Sequence, residues 1–394
     1  MGPMLDKETK NFIMEHRGDD PRVLALQAKR YPAVDIRQAV EQIEGWQAAK
    51  EKLPSWAAVN GIIYPPKISM EQCSSEATAL YKASLASGVS LADLTGGFGV
   101  DCSYMARAFK KVTYIERNGL LCSIAKENFT LLGLNHISVV NGDSEETLSS
   151  LPHLDWIFID PARRSHDGRK VFLLNDCEPD VVALEENLLR QSDNVMVKCS
   201  PMLDITAAVR QMNSVQAIHV VAVGNECKEL LFILGKGCCN DIPVHCVNIQ
   251  KEGVCKFSYT LNEEQGATVK LCSSVGSYIY EPNSALQKAG ASGVLAKRFN
   301  IEKLHPNSQL YTSDNPVVGF PGRVFAVETV SGFSKADIKK LQELKKANIT
   351  VRNFPDSVQQ LRKRLKLADG GDTYIFATTL SSGERVLLVC RKVQ

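Results

Sequence analysis

The chain has 394 residues, with 46 Lys and Arg against 44 Asp and Glu, a net charge of +2 and 44% apolar residues. Its length exceeds one ordinary compact core, so three or four domains are expected, and the near-neutral balance excludes the uniformly basic surface of a generic polyanion binder. No run of eighteen apolar residues occurs and the start, MGPMLDKETKNF, is polar, so no membrane span or signal sequence is expected and the cytoplasm is the default location.

The first sixty residues read as helices. Residues 22–29 follow Pro21, a good first-turn residue, and Ile36, Ala39, Val40 and Ile43 repeat at helical spacing. Trp46 and Trp56 read as packing residues. The stretch MEQCSSEATALYKA at 70–83 predicts a helix starting near Ser74 or Ser75, with Glu76 in its first turn.

Residues 88–101, GVSLADLTGGFGVD, then give a short apolar strand closing on Asp93 and a glycine turn at Gly96, Gly97 and Gly99. Glycines after a strand let the backbone approach a ligand closely, with a helix start beyond to supply amide groups. Such a turn suits NAD or S-adenosylmethionine. The third glycine of a dinucleotide fingerprint is replaced by Cys102, and Asp93 and Asp101 bracket the loop. Two carboxylates disfavour a pyrophosphate and suit the cationic amino-acid end of S-adenosylmethionine, so the methyl donor is preferred.

The strand at Lys111–Glu116 ends in an acid that can accept both hydroxyls of an adenosine ribose. A helix over 118–132 follows, then a strand at Ile137–Asn141 leading to Asp143, which is placed either to bond an adenine edge or to make an exposed turn. A fourth strand, 156–159, ends at Asp160 and Pro161. Four successive strand ends thus deliver Asp93, Glu116, Asp143 and Asp160 to one rim, where open parallel sheets bind ligands. Asp160 is the candidate for orienting the methyl acceptor, with Pro161 fixing the strand exit. Arg163 and Arg164 either grip phosphate or a base plane, or pair with Asp167 or Glu178. Lys198 closes the strand NVMVK, where it either balances the acids, meets a phosphate or is solvated. Asn225 and Glu226, in a loop between strands at 219–223 and 230–234, either line the acceptor pocket or make a turn.

These words, with EQCSSEATA at 71–79, IDPARR at 159–164, NECKELLF at 225–232, EPNSALQKAG at 281–290, FPGRVFAV at 320–327 and RNFP at 352–355, resemble a bacterial group of class I S-adenosylmethionine-dependent methyltransferases with a THUMP-like C-terminal domain. The resemblance implies an α/β fold with a Rossmann-like sheet, an N-terminal helical domain, and C-terminal α+β ferredoxin-like and THUMP-like domains. It also implies Asp93, Gly97 and Gly99 at the methionine end, Glu116 on the ribose, Asp143 near adenine, and Gln72 and Ser75 beside the entrance, while Phe98 of the glycine loop is a further cofactor-binding candidate. Amino-group methyltransferases of nucleic acids usually follow the acid with Pro-Pro and a stacking aromatic. Here Asp160-Pro161 is followed by Ala162, Arg163 and Arg164, so Tyr64 and Phe98 stand as alternative aromatics.

After about residue 240 the pattern changes to short strands and a helical stretch at 284–298, with Lys288, Lys297, Arg298 and Arg323 as candidate phosphate contacts or solvated charges. The last unit combines two amphipathic helices and strands with a basic cluster of Arg352, Arg362, Lys363, Arg364 and Lys366, able to steer a polyanion. The expected domains are 1–69, 70–240, 241–330 and 331–394. Twelve cysteines without repeated C-x-x-C spacing, and scattered His153, His166 and His245, give no expectation of a structural metal or disulfide framework. The expected function is methyl transfer from S-adenosylmethionine to a base in structured RNA, tRNA or rRNA, with no DNA or membrane partner. The alternatives are a methyltransferase of protein or small molecules, and a non-catalytic RNA-binding or assembly protein on the same fold.

Overall fold

The computed structural model describes residues 5–163, 174–237 and 239–393. They divide into two compact units, one of the described residues up to Gln216 with those from Lys228 to Cys239, the other of Ala217–Cys227 with the described residues from Asn240 onward.

The first unit begins with helices Lys7–His16, Pro21–Leu26 and Ile36–Lys52. Each is opened by an aspartate whose carboxylate accepts a backbone N–H: Asp6 from Thr9 at 2.7 Å, Asp20 from Arg22 at 2.8 Å and Asp35 from Gln38 at 3.0 Å. The second helix is shorter than expected and passes into a 3-10 turn at Ala28–Arg30. Tyr31 precedes Pro32, and the residue before a proline is pushed out of helical geometry. Trp56 is fully buried and Trp46 donates its indole N–H to the Ala57 carbonyl at 3.0 Å, so both serve packing as expected. Trp56, Leu53, Ile62 and Tyr64 share one core with Phe98 and Val100 of the glycine turn. The helix Glu76–Ala83 starts at Ser75, whose hydroxyl accepts from Thr78 N–H at 3.3 Å.

Behind these helices lies a sheet in the order Glu226–Gly235, Ser192–Cys199, Leu154–Ile159, Ser90–Asp93, Lys111–Glu116, Ile137–Asn141. The pairings are parallel except for the antiparallel one between the first two strands. Val195, Met196, Val197, Ile157 and Phe232 are fully buried, which is why these strands read as unbroken apolar runs rather than alternations. Asp93 is level with Tyr114 on one side and Phe158 on the other. The parallel register therefore brings Asp93, Glu116 and Asp160 out on the same edge.

In the second unit, Pro243–Gln250 pairs in parallel with Val215–Val223 and antiparallel with Gly253–Thr260. A seven-stranded, mostly antiparallel sheet contains Tyr278–Pro282, Gly322–Ser331, Arg385–Lys392, Thr373–Thr379 and Asn348–Arg352 in that spatial order. Helices Lys335–Gln342 and Val358–Leu365 each open with a capping box, at Ser334 with Asp337 and at Ser357 with Gln360. Leu341, Leu361 and Leu365 pack them on Ile375, Leu387 and Val389 of the sheet. No helix among the described residues is long and apolar enough to cross a membrane.

Candidate active site

The glycine turn is tied to its neighbouring strands by side chains that the sheet holds still. Gly97 N–H donates to Glu116 Oε2 at 2.9 Å, Asn118 N–H donates to Glu116 Oε1 at 2.8 Å, and the Tyr114 hydroxyl donates to the Gly97 carbonyl at 2.5 Å. Burial pushes the Tyr114 phenol far above its usual range, so it remains a donor. Gly99 has φ +85°, and a Cβ there would also lie 2.8 Å from the Phe129 ring, so glycine is required on both counts. Thr95 links the turn to the acceptor strand: its N–H donates to Asp93 Oδ1 at 3.0 Å, and its hydroxyl accepts from Asp160 N–H at 2.7 Å.

Asp93 is only 1% exposed, and burial drives its carboxyl well above the usual range, reinforced by Asp101, Asp160 and Glu116. Behind it runs a chain of alternating charge. Lys198 Nζ bonds Asp160 Oδ2 and lies 3.8 Å from Asp101 Oδ2. Lys82 Nζ, fully buried, is 3.2 Å from Asp101 Oδ1 and reaches both Glu229 oxygens at 2.6 and 2.7 Å. Ser74 donates to Asp101 Oδ2 at 2.7 Å. Burial pushes Asp101 up, but Lys82, Lys198 and the Ser74 hydroxyl outweigh it and hold the carboxyl below its usual value. Burial pulls Lys198 down, but Asp160, Asp101 and Glu229 outweigh it, so the ammonium keeps its proton. Burial raises Glu229, with Lys82 and Lys198 pulling it back. Counted as ions, three carboxylates and two ammonium groups leave one negative charge.

Asp93, Gly97, Gly99, Glu116, Asp160, Pro161 and Lys198 therefore meet at one rim. Asp143 caps the helix Ser144–Ser150, with Oδ1 accepting from Glu145 and Glu146 N–H at 2.8 and 3.3 Å, so one of its oxygens already has structural work. The Phe98 ring is buried, 4.9 Å from Trp56, and Tyr64 is buried beside it, so neither offers an open face for stacking. Arg163 lies on the short strand Ala162–Arg163, and its side chain, like Arg164, His166 and Asp167, is outside the described residues. Glu178 pairs with Arg117 at 2.7 Å. Ser75 serves as a helix cap and Gln72 is exposed, while the adjacent Ser74 reaches the site. The loop expected at 225–229 is a turn at Gly224 and Asn225, and the strand Glu226–Gly235 already begins there; on that strand Glu229 is buried and Glu226 is exposed.

Lys82, Ser74 and Glu229 join the site without having been expected there from the sequence. A faint signal exists for two of them: Lys82 interrupts the apolar helix ALYKA, and Glu229 directly precedes the buried run LLFIL. A charge embedded in an apolar run needs a partner.

These residues fit a cationic adenosyl ligand. A Cβ on Gly97 would touch the Thr95 carbonyl at an ordinary 3.8 Å, so the fold does not crowd that side of the turn. Asp101 Oδ1 is buried and already met by Lys82 at 3.2 Å, and the five-ion chain that starts at Asp160 on the rim carries one negative charge in excess.

A model of a ferredoxin-like domain matches residues 278–321, and a THUMP domain-like model matches 322–392. No curated protein matches the sequence. The crystal structure of a candidate methyltransferase from Porphyromonas gingivalis W83 is 34% identical, covers 98% of each chain and superposes with a TM-score of 0.88. An rRNA methylase from Streptococcus thermophilus is 13% identical over 41% of this chain and 95% of its own, at 0.32. An O-methyltransferase from Bacillus cereus solved with S-adenosylhomocysteine is 15% identical over 55% and 97%, at 0.34. At those scores the last two carry no weight for this chain.

The parallel sheet and glycine turn define a class I methyltransferase whose methyl donor is S-adenosylmethionine. The chain belongs to the family of the Porphyromonas gingivalis protein, S-adenosylmethionine-dependent methyltransferases that carry ferredoxin-like and THUMP-like domains.

Proposed function

We propose that the protein transfers a methyl group from S-adenosylmethionine to a base in structured RNA, tRNA or rRNA. The supporting observation is the pairing, in one chain, of an acceptor-side carboxylate at Asp160 with a THUMP-like domain over 322–392. The bound donor supplies an activated methyl group on a sulfonium, so the protein's task is alignment and charge. Asp93, Gly97 and Gly99 hold the amino-acid end, Glu116 the ribose and Asp143 the adenine side. Glu116 uses one lone pair on each oxygen for the turn and keeps others for hydroxyl donors.

Lys198 holds Asp160 Oδ2, so Oδ1 is the oxygen that can accept a hydrogen from the base. Because Lys198 keeps its proton, it orients Asp160 rather than serving as a base. Pro161 fixes the exit of the strand, and Arg163 meets the substrate's backbone. In this proposal the chain works as four domains, 1–69, 70–240, 241–330 and 331–394, and acts in the cytoplasm with its RNA.

The test is incubation with labelled donor and RNA from cells lacking the gene, followed by nucleoside mass spectrometry. Label in a modified nucleoside is expected; label in protein or small molecules instead overturns the reading. Asp160→Asn should slow single-turnover transfer about a hundredfold while donor affinity stays within about threefold. Equal losses in both would remove Asp160 from the acceptor side.

A further inference from the structure

Three sequence words that lie far apart, EPN at 281–283, PGR at 321–323 and RNFP at 352–355, converge in the second unit on one buried carboxylate. Glu281 is 2% exposed and sits in register opposite Arg323. Arg323 Nε donates to Glu281 Oε2 at 2.9 Å, and its Nη2 bonds the same oxygen. Arg352, at the end of Asn348–Arg352, brings Nη2 to 2.7 Å from Glu281 Oε1. The strands of the two arginines are separated by two others, so the sheet must curl for a single carboxylate to reach both.

Sign and exposure distinguish this cluster from an internal staple. One carboxylate holds two guanidinium groups, leaving a net positive charge. The glutamate is buried, but the arginine side chains are 36% and 37% exposed. Arg323 commits Nε and Nη2 to Glu281, which leaves its Nη1 edge available. Arg352 spends Nη1 on its neighbour's carbonyl at 3.0 Å and its Nε is buried without a partner, so what it can offer a ligand is the remaining N–H groups of Nη1 and Nη2. Two guanidinium groups would repel at this separation without the shared carboxylate. With it, they are held together as planar forks whose geometry suits phosphate oxygens.

We propose that Arg323 and Arg352, held together by Glu281, form a binding site for a backbone phosphate of the RNA substrate. This site rests on the reading of RNA as substrate. Its role is to anchor the RNA by charge, with no contribution to base identity.

The experiment uses the full chain with unfractionated bacterial tRNA and total rRNA as probes. In the wild-type protein, phenylglyoxal modification of Arg323 and Arg352 is followed by peptide mass spectrometry, and protection of both by one of the RNAs is expected. Arg323→Gln and Arg352→Gln should each weaken binding about three- to tenfold near ~0.1 M salt and lower the slope of log affinity against log salt by about 0.7–0.9. The matching lysine variants should keep the slope, which a merely structural role would not predict. RNA binding with no protection of either arginine overturns the site and leaves the RNA reading standing. Failure of both RNAs to bind or accept label overturns the RNA reading and this site with it. If a glutamine variant does not fold, the wild-type protection result decides.

Discussion

Both units build a cluster of ions around buried carboxylates, and they do so with opposite sign and opposite access. At the rim of the parallel sheet, Asp160, Lys198, Asp101, Lys82 and Glu229 alternate inward and end one negative charge in excess. In the C-terminal sheet, Glu281 is buried, but its two arginines are open to solvent and leave one positive charge in excess. Buried pairs contribute little net stability when complete and cost much when broken, so both arrangements are better understood by the charge they present than by the stability they add. The first presents a negative rim suited to a cation, the second a positive edge suited to an anion.

The contrast in access can be broken most forcefully at Lys82. Lys82→Met leaves Asp101 and Glu229 facing each other without their shared cation and should lower the urea unfolding free energy by about 3–5 kcal/mol. A loss within the ~1 kcal/mol of a surface pair would mean that water reaches the chain of charge after all.

Asp93 gives a pH-dependent test in the absence of ligand. Its folded carboxyl is raised by burial above the ordinary 3.8, so between those values the unfolded chain releases a proton that the folded chain keeps. That contribution favours folding fully below 3.8 and is lost as pH rises toward the folded value. Urea midpoints of wild type and Asp93→Asn should therefore lie close together in acid and separate as pH rises, with the asparagine protein the more stable. A constant gap would show that burial does not govern this carboxyl.

The smallest effect is expected at the basic helix Val358–Leu365. Arg362 is already paired with Asp369 at 2.6 Å, and Arg364 lies 3.6 Å from Asp356 and 5.2 Å from the Phe333 ring centroid. Reversing both to glutamate should weaken RNA binding only about twofold near ~0.1 M salt, less than losing either Arg323 or Arg352. A larger loss in fluorescence anisotropy titrations would move the docking surface onto that helix.

The rim was legible in the sequence because parallel strands announce themselves as apolar runs and their last residues share an edge. Asp93, Glu116 and Asp160 needed nothing more than strand ends and a glycine turn. Lys82 was only faintly legible, because a single lysine in a helix usually marks its wet face and its partner Glu229 is 147 residues away. Phe98 misled in the opposite sense: a ring inside a glycine loop suggests a ligand surface, but it turns under the loop toward Trp56. Arg323 and Arg352 were each visible as positive charge. Their meeting on Glu281 depends on the curl of a sheet whose strand order no local pattern encodes.

The contact of Phe98 with Trp56 also bears on how the chain can be dissected. The sequence suggests a methyltransferase module beginning near residue 70, yet Leu53, Trp56, Ile62 and Tyr64 supply part of the floor on which the glycine turn rests. A chain started at residue 70 would strip Leu53, Trp56, Ile62 and Tyr64 from the core that holds Phe98 and Val100, leaving Met70, Ala79, Tyr104 and Ile124 as its remainder. Residues 49–64 are therefore a foundation for the glycine turn, and a piece that keeps the turn's support must begin ahead of Leu53.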